Sequence, residues 1–401
     1  MTSHVPPKLP ATRLTNAQEA LAIAQRLAAQ FSRESAVRDR ERRLPVSELC
    51  SLFQSGIGAL TVPRQFGGID LPADVLTEIF VILCAADSAI GQVPQNHFYA
   101  LEVLRVNGTA QQQERLFAEV LNGVHLGNAL AEFNSAAAHE RSTALTPEGD
   151  QFRLNGRKFY ATGALFADRI PTSARDSEGR EWLAFVPGHA PGVTIIDDWS
   201  GFGQRTTGSG SVVFENVALD ADDVVAFQSA FERPTSVGPF AQLMHAAIDQ
   251  GIARAAFNDM LGFVRTRARP WPDSGVEQAS RDPLTIDRTG KLAAKLSAGD
   301  ALLEIAGKAV ELARIRPDAD SVAEASITVA RARAWTTEVS LEAGNLLFEL
   351  SGTRAALQAH NLDRHWRNAR THTLHDPVRW KYPAIGNYLL NGVKPPRRGT
   401  L

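Results

Sequence analysis

Phe152-Arg-Leu-Asn-Gly-Arg-Lys-Phe-Tyr-Ala-Thr162 reads as two short strand runs, Phe152 to Leu154 and Lys158 to Thr162, parted by an Asn-Gly pair that suits a break in regular structure. Around it lie four more runs of apolar and β-branched residues: Val124 to Leu130, Trp182 to Val186, Val193 to Ile196 and Ser211 to Val217. Clusters of Gly, Pro, Asp or Asn separate them, so the stretch from 124 to 217 predicts a compact antiparallel sandwich or barrel. On both sides of it the spacing is helical.

Upstream, apolar residues recur at helical intervals from Thr15 onward, with Thr15 or Asn16 as N-cap, and again over Val46 to Ser55, Ala73 to Ala86, Gly91 to Val106 and Ala110 to Leu121. Downstream, Phe240, Met244, Ala247, Ile248, Gly251, Ile252 and Ala255 hold one apolar stripe for several turns, and comparable segments follow near Asp287 to Ala313, Ser321 to Leu350 and Thr353 to Arg370. Asp376-Pro377 reads as an N-cap followed by Pro at the first helical position, opening a last helix, Val378 to Leu390, interrupted at Pro383. The order predicts an α+β protein with a helical domain over 1–122, a middle antiparallel β barrel over 123–232 and a C-terminal four-helix bundle over 233–401.

The composition narrows the function. A formal net charge of −2 gives no global field toward nucleic acid or an anionic membrane, and the longest compact apolar run, Ile79 to Ala86, is far too short to span a bilayer. Only Cys50 and Cys84 are present, each in an apolar helical segment, which predicts two buried thiols in a reducing, cytoplasmic compartment. Polar chemistry is therefore concentrated locally. Asn361 to Pro377 holds three of the ten histidines and three arginines, a density unlike that of a solvated helix face. His360, Asp363, His365, His372 and His375 supply nitrogen and oxygen at short spacing, but with no Cys partner and no HExxH-type pair a metal site is the weaker reading.

Several pieces resemble the acyl-CoA dehydrogenase superfamily: Val62-Pro63 with Gly67-Gly68, Ala129-Leu-Ala-Glu132, Leu154 to Thr162, and Gly208-Ser-Gly-Ser-Val-Val-Phe-Glu-Asn-Val217. The resemblance implies a flavin lying between barrel and bundle. It also exposes departures. That family's glutamate base comes either from the loop before the last bundle helix, where this chain has His372-Thr-Leu-His375, or from the first bundle helix, where no carboxylate lies between Arg233 and Ile248. The Arg-x-x-Phe-Gly segment that often holds the FAD diphosphate is replaced by Ala279-Ser-Arg-Asp-Pro283. Asp363 to Pro377, Asn387 to Gly392 and Pro395-Pro-Arg-Arg398 instead resemble the reduced-flavin-dependent monooxygenase branch, the dibenzothiophene monooxygenase-like and sulfur-acquisition oxidoreductase families. This implies FMNH2 delivered by a separate NAD(P)H-dependent flavin reductase, O2, a small organosulfur substrate and a homotetramer. The alternative is an FAD-linked, acyl-CoA dehydrogenase-like oxidoreductase with an atypical base.

The resemblance also distributes roles. Thr162 matches a flavin-facing hydroxyl and Asn128 a barrel asparagine beside the flavin; a strand-forming Thr and a turn-forming Asn are the structural alternatives. His375 is expected to transfer a proton or stabilise peroxide, with His372 as its helper, because a neutral imidazole at a helix N-terminus remains available as a base. His97 belongs to a helix expected to line the substrate cavity, or else is an ordinary surface histidine. Arg281 and Arg354 match positions that would hold the FMN phosphate across a subunit boundary, where a guanidinium fork suits a phosphate.

Overall fold

The computed structural model describes residues 11–132 and 142–401. Seven helices come first: α1 (Ala17–Phe31), α2 (Ser35–Glu41), α3 (Val46–Gln54), α4 (Ala73–Ala86), α5 (Ser88–Gln92), α6 (Pro94–Asn107) and α7 (Ala110–Leu121). Their ends follow local chemistry. The Asn16 side chain accepts the Glu19 N–H to start α1, and a Thr109/Gln112 capping box starts α7. The segment expected as one helix from Gly91 is two, because the Asp87 carboxylate accepts the N–H groups of Ala89 and Ile90 to open α5 and Pro94 begins a fresh helix at its first position.

Seven strands follow: β1 (Ala144–Glu148), β2 (Gln151–Lys158), β3 (Arg169–Arg175), β4 (Glu181–Pro187), β5 (Val193–Ile196), β6 (Ser211–Asp220) and β7 (Val224–Ala226). They form one sheet in the order β5-β6-β2-β1-β3-β4-β7, antiparallel except where Ala144 of β1 meets Arg175 of β3 in parallel. The stretch expected as two runs is the single strand β2. Its Asn155-Gly156 pair is a bulge against β6, where Gly156 sits at φ +154° and a Cβ would come within 2.7 Å of the Thr143 backbone. The strand stops at Lys158, since Tyr160 turns at φ +55°, so Thr162 lies beyond the sheet rather than in it. Val124 to Leu130 is likewise not a strand; it runs beside β3 and makes only two isolated bridges, at Leu126 and Ala129. Sequence reasoning passes over β3, whose Pro171 argues locally against a strand.

The remaining helices are α8 (Ser229–Glu232), α9 (Val237–Thr266), α10 (Pro283–Ile315), α11 (Ala319–Ser351), α12 (Asp363–His372) and α13 (Lys381–Asn391). The segment expected as a helix from Thr353 to Arg370 starts as a 3-10 turn and becomes α12 only after a loop in which Asn361 adopts φ +49°. Helix α4 packs into the bundle rather than beside it. Gly251 of α9 and Gly307 of α10 allow this, since a Cβ at either would lie 2.5 Å from Cys84 Cβ or 2.4 Å from Asp74 Cα. One apolar core consequently runs through residues of α1, α4, α6, α9, α10 and α11.

Two further expectations fail. Asp376 does not cap the last helix: a 3-10 turn, Val378–Trp380, intervenes before α13, and Pro383 sits in the first turn of α13 without interrupting it. Cys84 is buried but Cys50 is exposed, because Cys50 lies on the outer face of α3. Among the described residues no helix is long and apolar enough to cross a membrane.

Candidate active site

The Asn128 Nδ2 donates to the carbonyl of Tyr160 at 3.1 Å, which ties the extended 126–130 segment to the turn after β2. Two residues further on, Thr162 Oγ1 shares a hydrogen bond with Ser209 Oγ at 2.8 Å, and Ser209 with Thr207 at 2.7 Å. Asn128, Thr162 and the loop before β6 are thus gathered into one polar patch. Its telling feature is Asn128 Oδ1, buried with no hydrogen-bond partner. Such an atom costs about 1–3 kcal/mol unless something donates to it.

His97 has a different place from the one expected. It is fully buried, with Nε2 2.8 Å from the Gly58 carbonyl and Nδ1 accepting from the Leu126 N–H at 3.0 Å. A carbonyl only accepts and an amide N–H only donates, so the tautomer is fixed as Nε2–H. Burial pushes the pKa down to about 4. With both nitrogens engaged, His97 is a pin between the N-terminal helices and the segment carrying Asn128, not a free acid or base.

His372 and His375 end in a polar cluster built mostly by residues the sequence reading passed over. His372 is buried at the end of α12, its Nδ1 2.5 Å from Asp249 Oδ1 and its Nε2 3.1 Å from His245 Nδ1. Both partners lie on α9, four residues apart and so on one face. Asp249 also pairs with buried Arg333 of α11 and accepts from Thr337 Oγ1 at 2.9 Å. The exposed ring of His375 packs against His245 at 4.0 Å between centroids, tilted by 37°, and its Nδ1 lies 3.2 Å from Asp376 Oδ1. Asp376, expected as a cap, is instead a buried carboxylate 2.9 Å from Lys381 Nζ and within reach of Gln242 Nε2.

Burial would by itself raise both carboxyl pKa values. His375, Arg333 and Lys381 outweigh it for Asp376 and hold the carboxyl well below the usual carboxylate range; Arg333 and His372 do the same, less strongly, for Asp249. Burial lowers His372 and His245, and the nearby carboxylates do not restore them. The cluster therefore holds two anions, two cations and the neutral imidazoles of His372 and His245.

A family model described as "Acyl-CoA dehydrogenase, C-terminal domain" matches residues 243–380, and one described as "Acyl-CoA dehydrogenase, middle domain" matches residues 131–217. Dibenzothiophene monooxygenase from Rhodococcus qingshengii is 32% identical over 391 residues, 94% of either chain. The chain belongs to the flavin monooxygenase branch of the acyl-CoA dehydrogenase superfamily. A probable FMNH2-dependent monooxygenase, SfnC, from Pseudomonas putida is 28% identical over 95% of this chain and 97% of its own. The FMN-bound crystal structure of TdsC from Paenibacillus sp. A11-2 superimposes with a TM-score of 0.91 at 29% identity, covering 95% of this chain and all of that one.

On the resemblance, His372 and His375 are expected where dehydrogenases of the superfamily carry a carboxylate base. Asp249 lies one residue past the carboxylate-free stretch Arg233 to Ile248, the second expected place for such a base. It cannot serve as one: with no exposed surface, and tied to Arg333, Thr337 and His372, it has no route to a substrate proton. The upstream half of the histidine-rich stretch is structural. Arg364 and His365 both bond Asp259 at 2.7 Å, and Arg367 bonds Asp39 at 2.6 Å; Arg364, His365 and Asn368 border a polar cavity of about 240 Å³ that His375 does not line. Among the described residues no group of three His, Cys, Asp or Glu could hold a metal ion. Arg281 and Arg354 are both exposed, beside Ala279 and Ala355, which share one apolar cluster. They lie at one end of the bundle, and Arg354 NH1 reaches only the Arg267 carbonyl, at 3.3 Å.

Proposed function

We propose that this protein is a two-component flavin monooxygenase: it takes FMNH2 from a separate NAD(P)H-dependent flavin reductase and uses O2 to oxygenate a small organosulfur compound. The observation that carries the reading is a cluster of three imidazoles, His375 against one side of His245 and His372 against another, at the place where α-proton abstraction would need a carboxylate. Reduced FMN fits the polar patch of Asn128, Thr162 and Ser209. Asn128 Oδ1 is a buried acceptor that lacks a donor, and a reduced flavin ring carries N–H groups that could supply one. Thr162 and Ser209 add hydroxyls to the same patch, while Arg281 and Arg354 would receive the phosphate of an FMN bound to a neighbouring subunit.

When bound and reduced, FMN supplies two electrons and activates O2. The chain's own residues orient the ring, keep water from one face and move a proton. His375 is suited to the last of these: its Nδ1 faces the Asp376 carboxylate, so in the neutral form of the ring Nε2 carries the lone pair, and in the charged form Nε2 carries the proton to give. FMN is preferred over FAD because the segment that would grip a second phosphate is missing. We place the enzyme in the cytoplasm as a homotetramer of three-domain chains (1–122, 123–232, 233–401). Exposed Trp380, Leu389, Leu390 and Val393, on or beside α13, favour assembly.

The test is single-turnover oxygenation. The protein is mixed with anaerobically reduced FMN, then with 18O2 and dibenzothiophene, and the product is read by mass spectrometry. Incorporation of one labelled oxygen that depends on FMNH2 is expected. Absence of labelled product, together with reduction of a bound FAD by butyryl-CoA, would move the chain to the dehydrogenase reading.

A further inference from the structure

The histidine cluster is wired in one direction. Arg333 and Thr337 take Oδ2 of Asp249, which leaves Oδ1 for Nδ1 of His372. A carboxylate can only accept, so that nitrogen carries hydrogen and Nε2 of the neutral ring carries the lone pair. Nδ1 of His245, 3.1 Å from it, must then donate. Nε2 of His245 is left basic, and no described side chain bonds to it.

We infer that Asp249, His372 and His245 form a carboxylate–imidazole–imidazole relay in which Asp249 is a positioning residue, fixing both tautomers so that His245 offers a basic Nε2 beside His375. The inference rests on the monooxygenase reading for its use but not for its geometry. A proton arriving at Nε2 of His245 forms an N–H bond there. The Nδ1–H bond of His245 breaks as that proton passes to Nε2 of His372, and the resulting imidazolium stands against the Asp249 carboxylate. Nothing is oxidised or reduced, and release reverses the same bonds. Arg333 from α11, Asp376 from the loop after α12, and Lys381 from α13 are the other charges facing the relay, with Gln242 from α9. Their charges and that of Asp249 cancel, so the stored proton is the relay's one net charge and can answer a negative charge that develops on the flavin of the proposed reaction. The relay thus gives exposed His375 a buried neighbour that can share its proton.

Asp249→Asn is the direct test, because an amide can donate to His372 and reverse its tautomer. The expected result is a kcat lower by about a hundred- to ten-thousandfold, with the substrate KM and FMNH2 binding within about twofold of wild type and the low-pH limb of the kcat profile displaced. Histidine-selective 15N NMR of the wild-type protein should report His372 and His245 as Nδ1–H tautomers. If Asp249→Asn does not fold, because Arg333 has lost its partner, His245→Gln keeps the Arg333–Asp249–His372 contacts and should show the same fall in kcat. An Nε2–H tautomer at His372, or a folded variant with wild-type kcat and pH profile, would overturn the relay. Should the wild-type enzyme make no oxygenated product, the tautomers still decide the relay while the functional reading fails alone.

Discussion

His375 and Asn128 separate the two kinds of work in the candidate site. The His375 side chain is 45% exposed and touches the Asp376 carboxylate and the His245 ring, so the fold leans on it little. His375→Ala should leave the melting temperature within about a degree or two of wild type, as for a surface substitution away from core contacts. It should slow oxygenation by about a hundredfold or more, the usual size of a lost proton-transfer group. Sulfoxide formation at the wild-type rate would remove His375 from the chemistry. Asn128→Leu is the converse experiment. It fills the site of the unpartnered Oδ1 and breaks the bond to Tyr160, and should weaken FMNH2 binding by about tenfold, measured anaerobically by titration, with a smaller change in kcat at saturating flavin. Unchanged flavin affinity would mean that Asn128 serves only the 126–130 segment.

At the level of elements, glycines decide how closely the helices approach. Gly251 and Gly262 lie on the same helix, α9, but a Cβ at 251 would sit 2.5 Å from Cys84 Cβ and 2.9 Å from the Val81 carbonyl, whereas at 262 it meets nothing within 4 Å. Ala is favoured over Gly by about 1 kcal/mol in a helix interior, and overpacking costs about 1–3 kcal/mol. Gly262→Ala should therefore raise stability and Gly251→Ala lower it, as read by urea denaturation; equal effects at both positions would mean that α4 yields easily. This contrast also marks what the sequence can reveal. The periodicity that predicts α4, α7, α9 and α11 is a property of each segment alone, and those helices are legible. Strand β3 is hidden by Pro171, and the bulge at Asn155-Gly156 is mistaken for a break, because pairing partners rather than the local chain determine both. His372 and His375 are visible as a pair. Their supports are not, although His245 and Asp249 stand four apart beside the apolar stripe, one residue after Met244 and Ile248, which is a visible pattern; Arg333 and Lys381 carry no local sign of burial.

Across the whole molecule, four of the histidines are used as neutral buried groups: His97 between the N-terminal helices and the middle sheet, His365 on Asp259, and His372 with His245 in the relay. Burial lowers all four, His97 and His365 to about 4. In the unfolded chain each titrates near 6.5. The folded pKa is the lower one, so the unfolded chain binds more protons below pH 6.5 and each group's stabilising effect, intact above that pH, is lost progressively as the pH falls toward its folded value. The slope approaches 1.4 kcal/mol per pH unit for each group that is protonated only when unfolded, which for four groups is large beside a typical domain stability of about 5–15 kcal/mol. The buried carboxylates Asp249 and Asp376, both lowered, extend the loss below pH 3.8 and do not oppose it. Urea midpoints should thus be nearly constant from pH 8 to 7 and fall between 6.5 and 5, with unfolding accompanied by uptake of about two protons at pH 5.5 from His97 and His365 alone, to which His372 and His245 add. A midpoint that stays flat down to pH 5 would mean that these rings are charged in the folded protein, and the tautomers assigned to His97, His372 and His245 would fall with it.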